Sequence, residues 1–306
     1  MPPPRCPVAE FRSGFVCFVG RPNTGKSTLT NALVGQKIAI TSSRPQTTRH
    51  TIRGIVHREH AQLILVDTPG LHRPRTLLGA RLNDLVRDTY SEVDVIALCI
   101  PADEKIGPGD RWIVQQIRQM APKTTLLGVV TKIDKVSRDE VAAQLLAVSN
   151  LLGPEAELVP VSAVRGEQVE VLVDVIASKM PEGPAFYPDG ELTDEPEETL
   201  MAELIREAAL EGVRDELPHS LAVVIEEVLP REDREDLLDV HALLYVERPS
   251  QKAIIIGKGG SRLKEVGTNA RKQIEHILGT RIYLDLHVKV AKDWQRDPKQ
   301  LRRLGF

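Results

Sequence analysis

The sequence has few aromatic residues, few cysteines and no long hydrophobic run. Phe, Trp and Tyr make up 4% of the 306 residues, so we expect cores built from aliphatic side chains. The longest apolar runs, at residues 63–66, 126–130 and 253–256, are far shorter than the roughly 20 residues of a membrane-spanning helix. The N-terminus also lacks the apolar core of a signal peptide. These absences argue against a membrane-spanning or secreted protein.

Three cysteines are too few to indicate a disulfide framework. Cys17 and Cys99 lie inside apolar runs, and Cys6 lies in a proline-rich leader that we assign to residues 1–14. This usage is typical of buried thiols in a reducing compartment. We therefore expect a cytoplasmic protein, and its 42% of hydrophobic residues is enough to build real cores.

The net charge of −3 conceals a strong asymmetry along the chain. Residues 249–306 contain 13 Lys and Arg against 5 Asp and Glu, a net charge of +8. The rest of the chain contains 27 basic and 38 acidic residues, a net charge of −11. A basic C-terminal part on an acidic protein favours a polyanionic partner for that part alone.

Strand-like runs alternate with helical patterns through residues 15–180. This alternation predicts an α/β domain with a mostly parallel sheet and helices on both faces. Residues 181–198 are rich in Pro, Gly and acidic side chains and are interpreted as a linker. Strands are predicted at residues 15–20, 61–67, 93–100, 125–131 and 157–162, and helices at residues 111–120 and 140–151.

The remaining residues, 199–306, predict a second domain of the α+β class that includes the basic C-terminal tail. It begins with an amphipathic helix at 199–217, whose apolar residues share one face. Later elements are strands at 221–229 and 237–247, a helix at 261–278 after a glycine-rich turn, and an alternating strand at 281–290.

The segment GRPNTGKS, residues 20–27, matches the phosphate-binding P-loop pattern between a predicted strand and a predicted helix. Gly20 and Gly25 allow backbone N–H groups to turn toward phosphate oxygens, Lys26 adds a positive charge, and the Ser27 hydroxyl is a magnesium ligand. A chance strand–turn–helix corner is the weaker alternative. The nucleotide contacts predicted here are Gly20, Arg21, Pro22, Asn23, Thr24, Gly25, Lys26, Ser27 and Thr28.

Three further motifs follow predicted strands in the order that a guanine-nucleotide site requires. In DTPG, residues 67–70, Asp67 would hold magnesium through water and the Gly70 N–H would sense the γ-phosphate. In TKID, residues 131–134, Asp134 would accept both guanine N–H donors while Lys132 packs across the base. In VSA, residues 161–163, a backbone N–H would meet the guanine carbonyl oxygen. The contacts predicted here are Asp67, Thr68, Pro69, Gly70, Leu71, Thr131, Lys132, Ile133, Asp134, Ser162 and Ala163.

A polar segment with two threonines, residues 45–50, lies between the first two motifs. We predict that Thr48, rather than Thr47, coordinates magnesium when the γ-phosphate is present. A solvated threonine-containing loop is the alternative. The predicted magnesium ligands are thus Ser27, Thr48 and Asp67, and the residues predicted to act in hydrolysis are Lys26, Asn23, Thr48 and Gly70.

The second domain contains GKGG, residues 257–260, within its most basic stretch. Glycines here would let the backbone approach a sugar-phosphate chain. A GxxG sequence alone is also a plain helix–helix turn, but the surrounding positive charge favours RNA. In the tail, Trp294 is either a stacking surface for a base or a side chain packed on its own domain. The predicted RNA contacts are Lys252, Gly257, Lys258, Gly259, Gly260, Arg262, Lys264, Arg271 and Lys272.

Taken together, these motifs resemble those of the Era family of bacterial GTPases. The resemblance rests on GRPNTGKS, PQTTRH, DTPGLHRPR, TKID, VSA and GKGG, and it covers residues 15–306. It implies an Era-type G domain, a type II KH domain, binding near the 3′ end of 16S ribosomal RNA, and a role in maturation or assembly of the small ribosomal subunit. It also implies peripheral association with the inner face of the cell membrane. We expect a monomer.

Two positions depart from the usual G-protein patterns. Thr131 replaces the usual Asn of the guanine motif, which puts a loop-tethering hydrogen bond and a base-edge hydrogen bond in question. Leu71 stands where many G proteins carry a glutamine that orients the attacking water, so hydrolysis is expected to be slow or to use another group. Asn23 is the candidate, because in related GTPases an asparagine at this place ligates potassium. The alternative is that Asn23 is a turn residue.

The sequence therefore predicts a GTP-binding and GTP-hydrolysing switch with an RNA-binding KH domain, using Mg²⁺ and also K⁺. The alternative is a nucleotide-sensing RNA chaperone or scaffold in which hydrolysis is incidental. Leu71 favours this alternative, whereas Lys26, Ser27 and Asp67 favour the enzyme. The eight histidines show no metal-ligand spacing that would indicate a different catalytic class.

Overall fold

The computed structural model describes residues 11–41, 51–69, 76–213, 217–231 and 234–306. The chain divides into two compact units. The first is built mainly from residues up to Asp194, and the second mainly from Glu195–Phe306. The second unit also includes two short segments from the N-terminal half, which contain residues 39–41 and 76–84. Each unit therefore contains segments from more than one part of the chain.

A six-stranded sheet forms the centre of the first unit. Its strand order is β2-β3-β1-β4-β5-β6, and every neighbouring pair is parallel except β2 and β3. This confirms the predicted mostly parallel sheet. The strands are β1 (Arg12–Val19), β2 (Ile52–Arg58), β3 (Ala61–Asp67), β4 (Val95–Pro101), β5 (Thr125–Thr131) and β6 (Leu158–Pro160).

Helices cover both faces of this sheet. Successive residues of a strand point to opposite sides, so each strand contributes to the core on both faces. Val16 and Phe18 of β1 pack on one face together with Leu29 of α1, whereas Cys17 and Val19 pack on the other. All residues of β3 and β4 are buried, as expected for strands covered on both faces. The helices of this half of the chain are α1 (Lys26–Val34), α2 (Leu77–Glu92), α3 (Pro108–Met120), α4 (Arg138–Leu152) and α5 (Val169–Lys179).

Residues 181–194, most of the predicted linker, belong to the first unit. The backbone N–H of Ile55 in β2 donates to the carbonyl oxygen of Leu192 at 2.9 Å. The buried carboxamide of Gln62 in β3 accepts from the N–H groups of Phe186 and Tyr187 at 2.7 and 3.0 Å, and donates to the Tyr187 carbonyl at 2.8 Å. The segment has no regular secondary structure, but its backbone is hydrogen-bonded to the sheet.

A three-stranded sheet and helices form the second unit. The strand order is β7-β8-β9, with β7 and β8 antiparallel and β8 and β9 parallel. The sequence of elements, helix–strand–strand–helix–helix–strand, is that of a type II KH domain, which confirms the predicted α+β fold. The elements are α6 (Glu197–Leu210), α7 (Leu217–Ser220), β7 (Ala222–Arg231), β8 (Arg234–Val246), α8 (Pro249–Ile256), α9 (Ser261–Leu278), β9 (Arg281–Val290) and α10 (Pro298–Arg303).

Helix α6 differs from the amphipathic helix that the sequence predicts. It ends at Leu210, and nearly all of its residues from Leu200 onward are buried. The buried residues include a bidentate ion pair, in which Arg206 donates to Glu203 at 2.6 and 2.9 Å. Sequence polarity predicted a solvent-exposed charged face, but pairing lets these side chains be buried.

Candidate nucleotide and RNA sites

The phosphate loop, residues 20–27, connects β1 to the first turn of α1. Gly25 has a φ of 92° at the N-terminus of α1, so the loop delivers backbone N–H groups at a helix N-terminus, where anions bind. Asn23, which is exposed, has a φ of 65°, a conformation that asparagine adopts more readily than most residues. At Gly20, a Cβ atom would lie 2.6 Å from the carbonyl oxygen of Cys99, so only glycine fits there.

Lys26 places a buried ammonium group against this loop. Its side chain donates to the carbonyl oxygens of Gly20 at 3.2 Å and Arg21 at 2.8 Å. Burial lowers the pKa of Lys26, while the negative charge of Asp67 acts in the opposite direction. The loop therefore holds a positive charge that is largely removed from water, and phosphate oxygens would be strong partners for it.

Ser27 and Asp67 form the predicted magnesium site. The Ser27 hydroxyl donates to Oδ2 of Asp67 at 2.8 Å, and Asp67 is fully buried at the end of β3. A hydroxyl and a carboxylate are both oxygen ligands, the type that Mg²⁺ takes alongside water and phosphate. The two residues therefore fit the ion. Across the described ranges, no group of three or more His, Cys, Asp and Glu could hold a metal.

The predictions for Thr48, Gly70 and Leu71 lie outside the residues that the structure describes. Thr68 and Pro69, which precede Gly70, are buried just after β3. The roles assigned to Thr48, Gly70 and Leu71 therefore stay predictions.

Thr131 tethers the end of β5 to the phosphate loop. Its hydroxyl donates to the carbonyl oxygen of Thr24 at 2.6 Å, and both residues are buried. Thr24 in turn donates to the carbonyl oxygen of Arg21 at 3.0 Å, the same oxygen that Lys26 contacts. The loop-tethering hydrogen bond that the Asn-to-Thr difference put in question is thus present.

Asp134 lies just after β5 in the short 3₁₀ helix Ile133–Lys135. The Ser162 hydroxyl donates to Oδ1 of Asp134 at 2.6 Å, and this hydrogen bond lowers the pKa of the carboxyl group. Asp134 is therefore a carboxylate at neutral pH, with acceptor capacity for N–H donors. Ile133, also a predicted contact, packs instead against the hydrophobic cluster beneath the motif.

A cavity of about 140 Å³ lies beside Asp134. It brings together residues from the phosphate loop, the TKID motif and the VSA motif, which are far apart in the sequence. This is the arrangement that the sequence predicts for a guanine site. Among the residues that line the cavity are Gly25, Thr28, Thr131, Lys132, Asp134 and Ala163.

Arg21 connects the phosphate loop to α3. Its guanidinium donates to the buried carboxylate of Asp110 at 2.8 Å and to Glu104 at 3.0 Å, and the Asp110 hydrogen bond raises the pKa of Arg21. This predicted nucleotide contact thus has its side chain in an ion-pair network. Asp110 was not predicted; Pro108 and Asp110 in the first turn of α3 indicate helix capping but not this ion pair.

The GKGG turn joins α8 to α9 in the second unit. Gly257, Gly259 and Gly260 have φ values of 71°, 60° and 78°. A Cβ atom on Gly257 would lie 2.7 Å from Cβ of Arg262, whereas one on Gly259 or Gly260 would meet nothing within 4 Å. Packing therefore requires glycine at 257, while the backbone at 259 and 260 is open to an approaching sugar-phosphate chain.

Most of the side chains predicted as basic RNA contacts are exposed to solvent around this turn. Lys252 is half-buried, and Ile254 of α8 adds an apolar side chain that is 51% exposed. The exposed members of the set are Lys258, Lys264, Arg271 and Lys272.

Arg262 makes a structural contact that the sequence did not predict. Its guanidinium donates to the carbonyl oxygens of Ala209 and Glu211 at the C-terminus of α6. A cation is favourable at this end of a helix. The structure thus gives Arg262 a part in holding α6, which the basic pattern of the sequence could not distinguish from phosphate contact.

Trp294 is fully buried, which decides between its two interpretations. Its indole N–H donates to the carbonyl oxygen of Ser220 at 2.9 Å, and its ring stacks on Phe306 with centroids 5.7 Å apart. Trp294 is a core residue of the second unit and not a stacking surface for a base.

Comparison with known proteins covers both units. Residues 15–132 match the family model of the 50S ribosome-binding GTPases, and residues 216–295 match that of the KH domain. GTPase Era of Mycolicibacterium smegmatis is 80% identical over 299 residues, which are 98% of this chain and 100% of that protein. The chain belongs to the Era family of GTPases. GTPase Era of Mycobacterium leprae, another relative, is 76% identical over 300 residues, again 98% of this chain and 100% of that protein.

Solved structures of Era share this fold. The crystal structure of Era in complex with MgGDPNP and nucleotides 1506–1542 of 16S ribosomal RNA has a TM-score of 0.92 at 38% identity, covering 96% of this chain and 99% of that one. The structure of an Aquifex aeolicus Era variant bound to GDP·AlF4⁻ gives the same values. As a member of the Era family, this chain is a GTPase. Among the residues that the structure describes, no helix has the length and apolar character needed to cross a membrane.

Proposed function

We propose that this Era-family GTPase binds 16S ribosomal RNA through its KH domain, and that its nucleotide state controls this binding during maturation or assembly of the small ribosomal subunit. The observation that carries the proposal is the presence in one chain of a P-loop guanine site and an open GKGG turn surrounded by exposed basic residues. The Era structure solved with MgGDPNP and nucleotides 1506–1542 of 16S ribosomal RNA supports it.

In the nucleotide site, each side chain is assigned one task. Lys26 binds the outer phosphates, and Asp134 accepts the N–H donors of guanine while Lys132 covers the base. Ser27 and Asp67 would hold Mg²⁺, which neutralises phosphate charge when bound. Thr48 and the Gly70 N–H are proposed to respond to the γ-phosphate, and so to form the switch.

Hydrolysis is proposed to be slow in the isolated protein and to use K⁺ held by Asn23. The competing function is a nucleotide-sensing RNA scaffold in which hydrolysis is incidental. Membership in the Era family of GTPases, and the Era structure with GDP·AlF4⁻, favour the enzyme. Turnover measured with and without RNA distinguishes the two: a scaffold predicts the same turnover with and without RNA.

In the RNA site, the backbone at Gly259 and Gly260 is proposed to lie against the sugar-phosphate chain. Lys258, Lys264 and the Arg271–Lys272 pair would contact phosphates from exposed positions on the turn and α9. Unpaired bases would lie on apolar side chains such as Ile254. The open space at position 259 makes this proposal testable with little effect on packing.

The decisive experiment compares Gly259→Asp with Gly259→Asn in binding to a single-stranded RNA that matches the 3′ end of 16S ribosomal RNA. The two side chains have the same size and both tolerate a positive φ, so they differ mainly in charge and in the N–H donors of the Asn amide. We expect Gly259→Asp to lose roughly 10- to 100-fold or more in RNA affinity, Gly259→Asn to lose less, and both to keep the GTP affinity of the wild type and to melt at similar temperatures to each other. Wild-type RNA affinity in folded Gly259→Asp would refute the RNA site.

Salt dependence gives an independent measurement. If roughly four to six phosphates are neutralised, log affinity for single-stranded RNA falls with log salt concentration at a slope of about −3 to −4. A KH-like domain that only braces the protein predicts weak binding and a shallow slope.

The proposal places the protein in the cytoplasm, because 16S ribosomal RNA is a cytoplasmic partner. It also proposes that the protein acts as a monomer. Peripheral contact with the inner face of the membrane, which the family resemblance implies, is proposed as a secondary property. Flotation with vesicles containing anionic lipid tests it, and recovery of all the protein in the bottom fraction would exclude it.

A further inference from the structure

Thr131 uses its one hydrogen-bond donor on the phosphate loop. A threonine has a single O–H donor, and here it is directed to the carbonyl oxygen of Thr24 at 2.6 Å. Thr131 is 4% exposed and Thr24 is 1% exposed, so water does not compete for this bond. Redirecting the hydroxyl would leave a buried carbonyl oxygen without this donor, which is unfavourable.

The same residue lines the cavity beside Asp134. Guanine presents N1–H and N2–H₂ as donors, and O6 and N7 as acceptors. The Asp134 carboxylate matches the donors, and a backbone N–H near Ala163 matches O6. N7 needs a donor, and the Thr131 hydroxyl is already engaged.

The lysines that line the cavity are also directed to other partners. The ammonium of Lys132 lies 3.8 Å from carboxylate oxygens of both Asp103 and Glu104, and that of Lys135 lies 3.4 Å from Asp103. Charge attraction thus draws both cations toward these acidic residues and not toward the base edge.

We infer that Thr131 is a positioning residue that holds the phosphate loop and leaves N7 of guanine unread. The TKID motif of this GTPase then reads guanine at N1 and N2 through Asp134 and does not read N7. The inference rests on the proposed guanine site. It predicts a tolerance for changes at N7 that an asparagine at 131, with two N–H donors and an acceptor, would not produce.

The test measures the dissociation constants of GTP and 7-deaza-GTP, in which a C–H group replaces N7. We expect the wild type to bind the two within about twofold of each other. Thr131→Asn adds a second donor and should come to favour GTP over 7-deaza-GTP by roughly two- to tenfold, the effect of one net hydrogen bond. Clear preference of the wild type for GTP over 7-deaza-GTP would overturn the inference.

Two further variants test the tether. Thr131→Val keeps the shape of the side chain without its hydroxyl and should weaken GTP and 7-deaza-GTP equally, by roughly 5- to 30-fold. Thr131→Ser restores the donor and should bind as the wild type does. Wild-type affinity in Thr131→Val, with an unchanged melting temperature, would overturn the tether.

Inosine triphosphate separates a failure of this inference from a failure of the guanine site itself. It lacks the 2-amino group that Asp134 is proposed to accept but keeps N7. Wild-type protein should bind GTP more tightly than inosine triphosphate. Equal binding of these two would show that Asp134 does not read the base, whatever the 7-deaza result.

Discussion

The side chain of Lys26 donates to the carbonyl oxygen of Arg21 at 2.8 Å, so this cation is held by the loop that precedes it. Arg21 is itself held by Asp110 of α3, and its carbonyl oxygen also accepts from Thr24. Contacts within the protein therefore fix the position of the positive charge. Such preorganisation reduces the ordering cost of binding.

Lys26→Met should abolish nucleotide binding without loss of folding. We expect GTP affinity to fall by roughly 100-fold or more, because charge-assisted hydrogen bonds to phosphate are lost. The nucleotide-free variant should be at least as stable as the wild type, since burial lowers the pKa of Lys26 and so opposes its charged form. Isothermal titration and thermal melts measure the two effects. Wild-type GTP affinity would exclude the P-loop assignment.

The pKa of Lys26 also predicts the sign of a pH effect. Its pKa is lowered in the folded protein, so between that value and 10.5 the unfolded chain binds more protons at this residue. The stability of the nucleotide-free wild type, relative to Lys26→Met, should therefore rise with pH in that window. Denaturant titrations of both proteins at increasing pH measure it, and a relative stability that falls with pH would contradict the buried ammonium.

Asp134→Asn should change base preference from guanine to xanthine nucleotides. The carboxamide presents an N–H donor to the extra carbonyl group of xanthine and loses one acceptor for guanine. We expect GTP affinity to fall by roughly 10-fold or more while XTP affinity rises. Asp139→Asn, at an exposed acidic residue of α4, is the matched control and should change neither. Unchanged GTP and XTP affinities in Asp134→Asn would remove Asp134 from the base site.

Asn23 should make hydrolysis depend on potassium. We expect faster turnover by the wild type in K⁺ than in Na⁺, because the larger ion fits the asparagine site proposed for the loop. Gly adopts the φ of 65° without strain, so Asn23→Gly removes the side chain and preserves the loop. This variant should lose the difference between the two ions. Equal wild-type rates in K⁺ and Na⁺ would leave Asn23 as a turn residue only.

Trp294 should matter for stability and not for RNA contact. Trp294→Ala removes a fully buried ring and should cost about 3–5 kcal/mol of unfolding free energy. Trp294→Phe leaves the Ser220 carbonyl without its donor and should cost about 1–3 kcal/mol. RNA affinity per folded molecule should stay at the wild-type value in Trp294→Phe. A stable Trp294→Phe protein that fails to bind RNA would contradict the core assignment.

Regular elements with strong periodicity could be predicted from the sequence. The predicted strands at 61–67, 125–131 and 281–290 coincide with β3, β5 and β9, because each has apolar residues in a fixed pattern bounded by polar ones. Strand β2 was missed, since glycine and charged residues interrupt its pattern in IRGIVHR. Strand β2 forms because it pairs with β3, and the local sequence pattern does not predict this pairing.

The sequence predicted the role of a residue best where the backbone geometry requires that residue type. The glycines of the phosphate loop and of GKGG are required by close approach or positive φ, and the sequence indicated both sites. Arg21 was predicted as part of the P-loop motif and Arg262 as part of the basic set around GKGG, but their contacts with Asp110 and with the end of α6 were not predicted. Partners that lie 89 and 53 residues away in the sequence cannot be found from local composition.

The contact of Gln62 with Phe186 and Tyr187 affects how the protein can be cut. A fragment that stops at residue 180 would uncover the buried carboxamide of Gln62 and remove the Leu192 carbonyl oxygen that Ile55 contacts. Limited proteolysis should therefore leave residues 181–194 attached to the nucleotide-binding half, despite their proline- and glycine-rich composition. An expression fragment that ends after Asp194 should therefore melt at a higher temperature than one that ends at residue 180, because only the longer fragment keeps these hydrogen bonds.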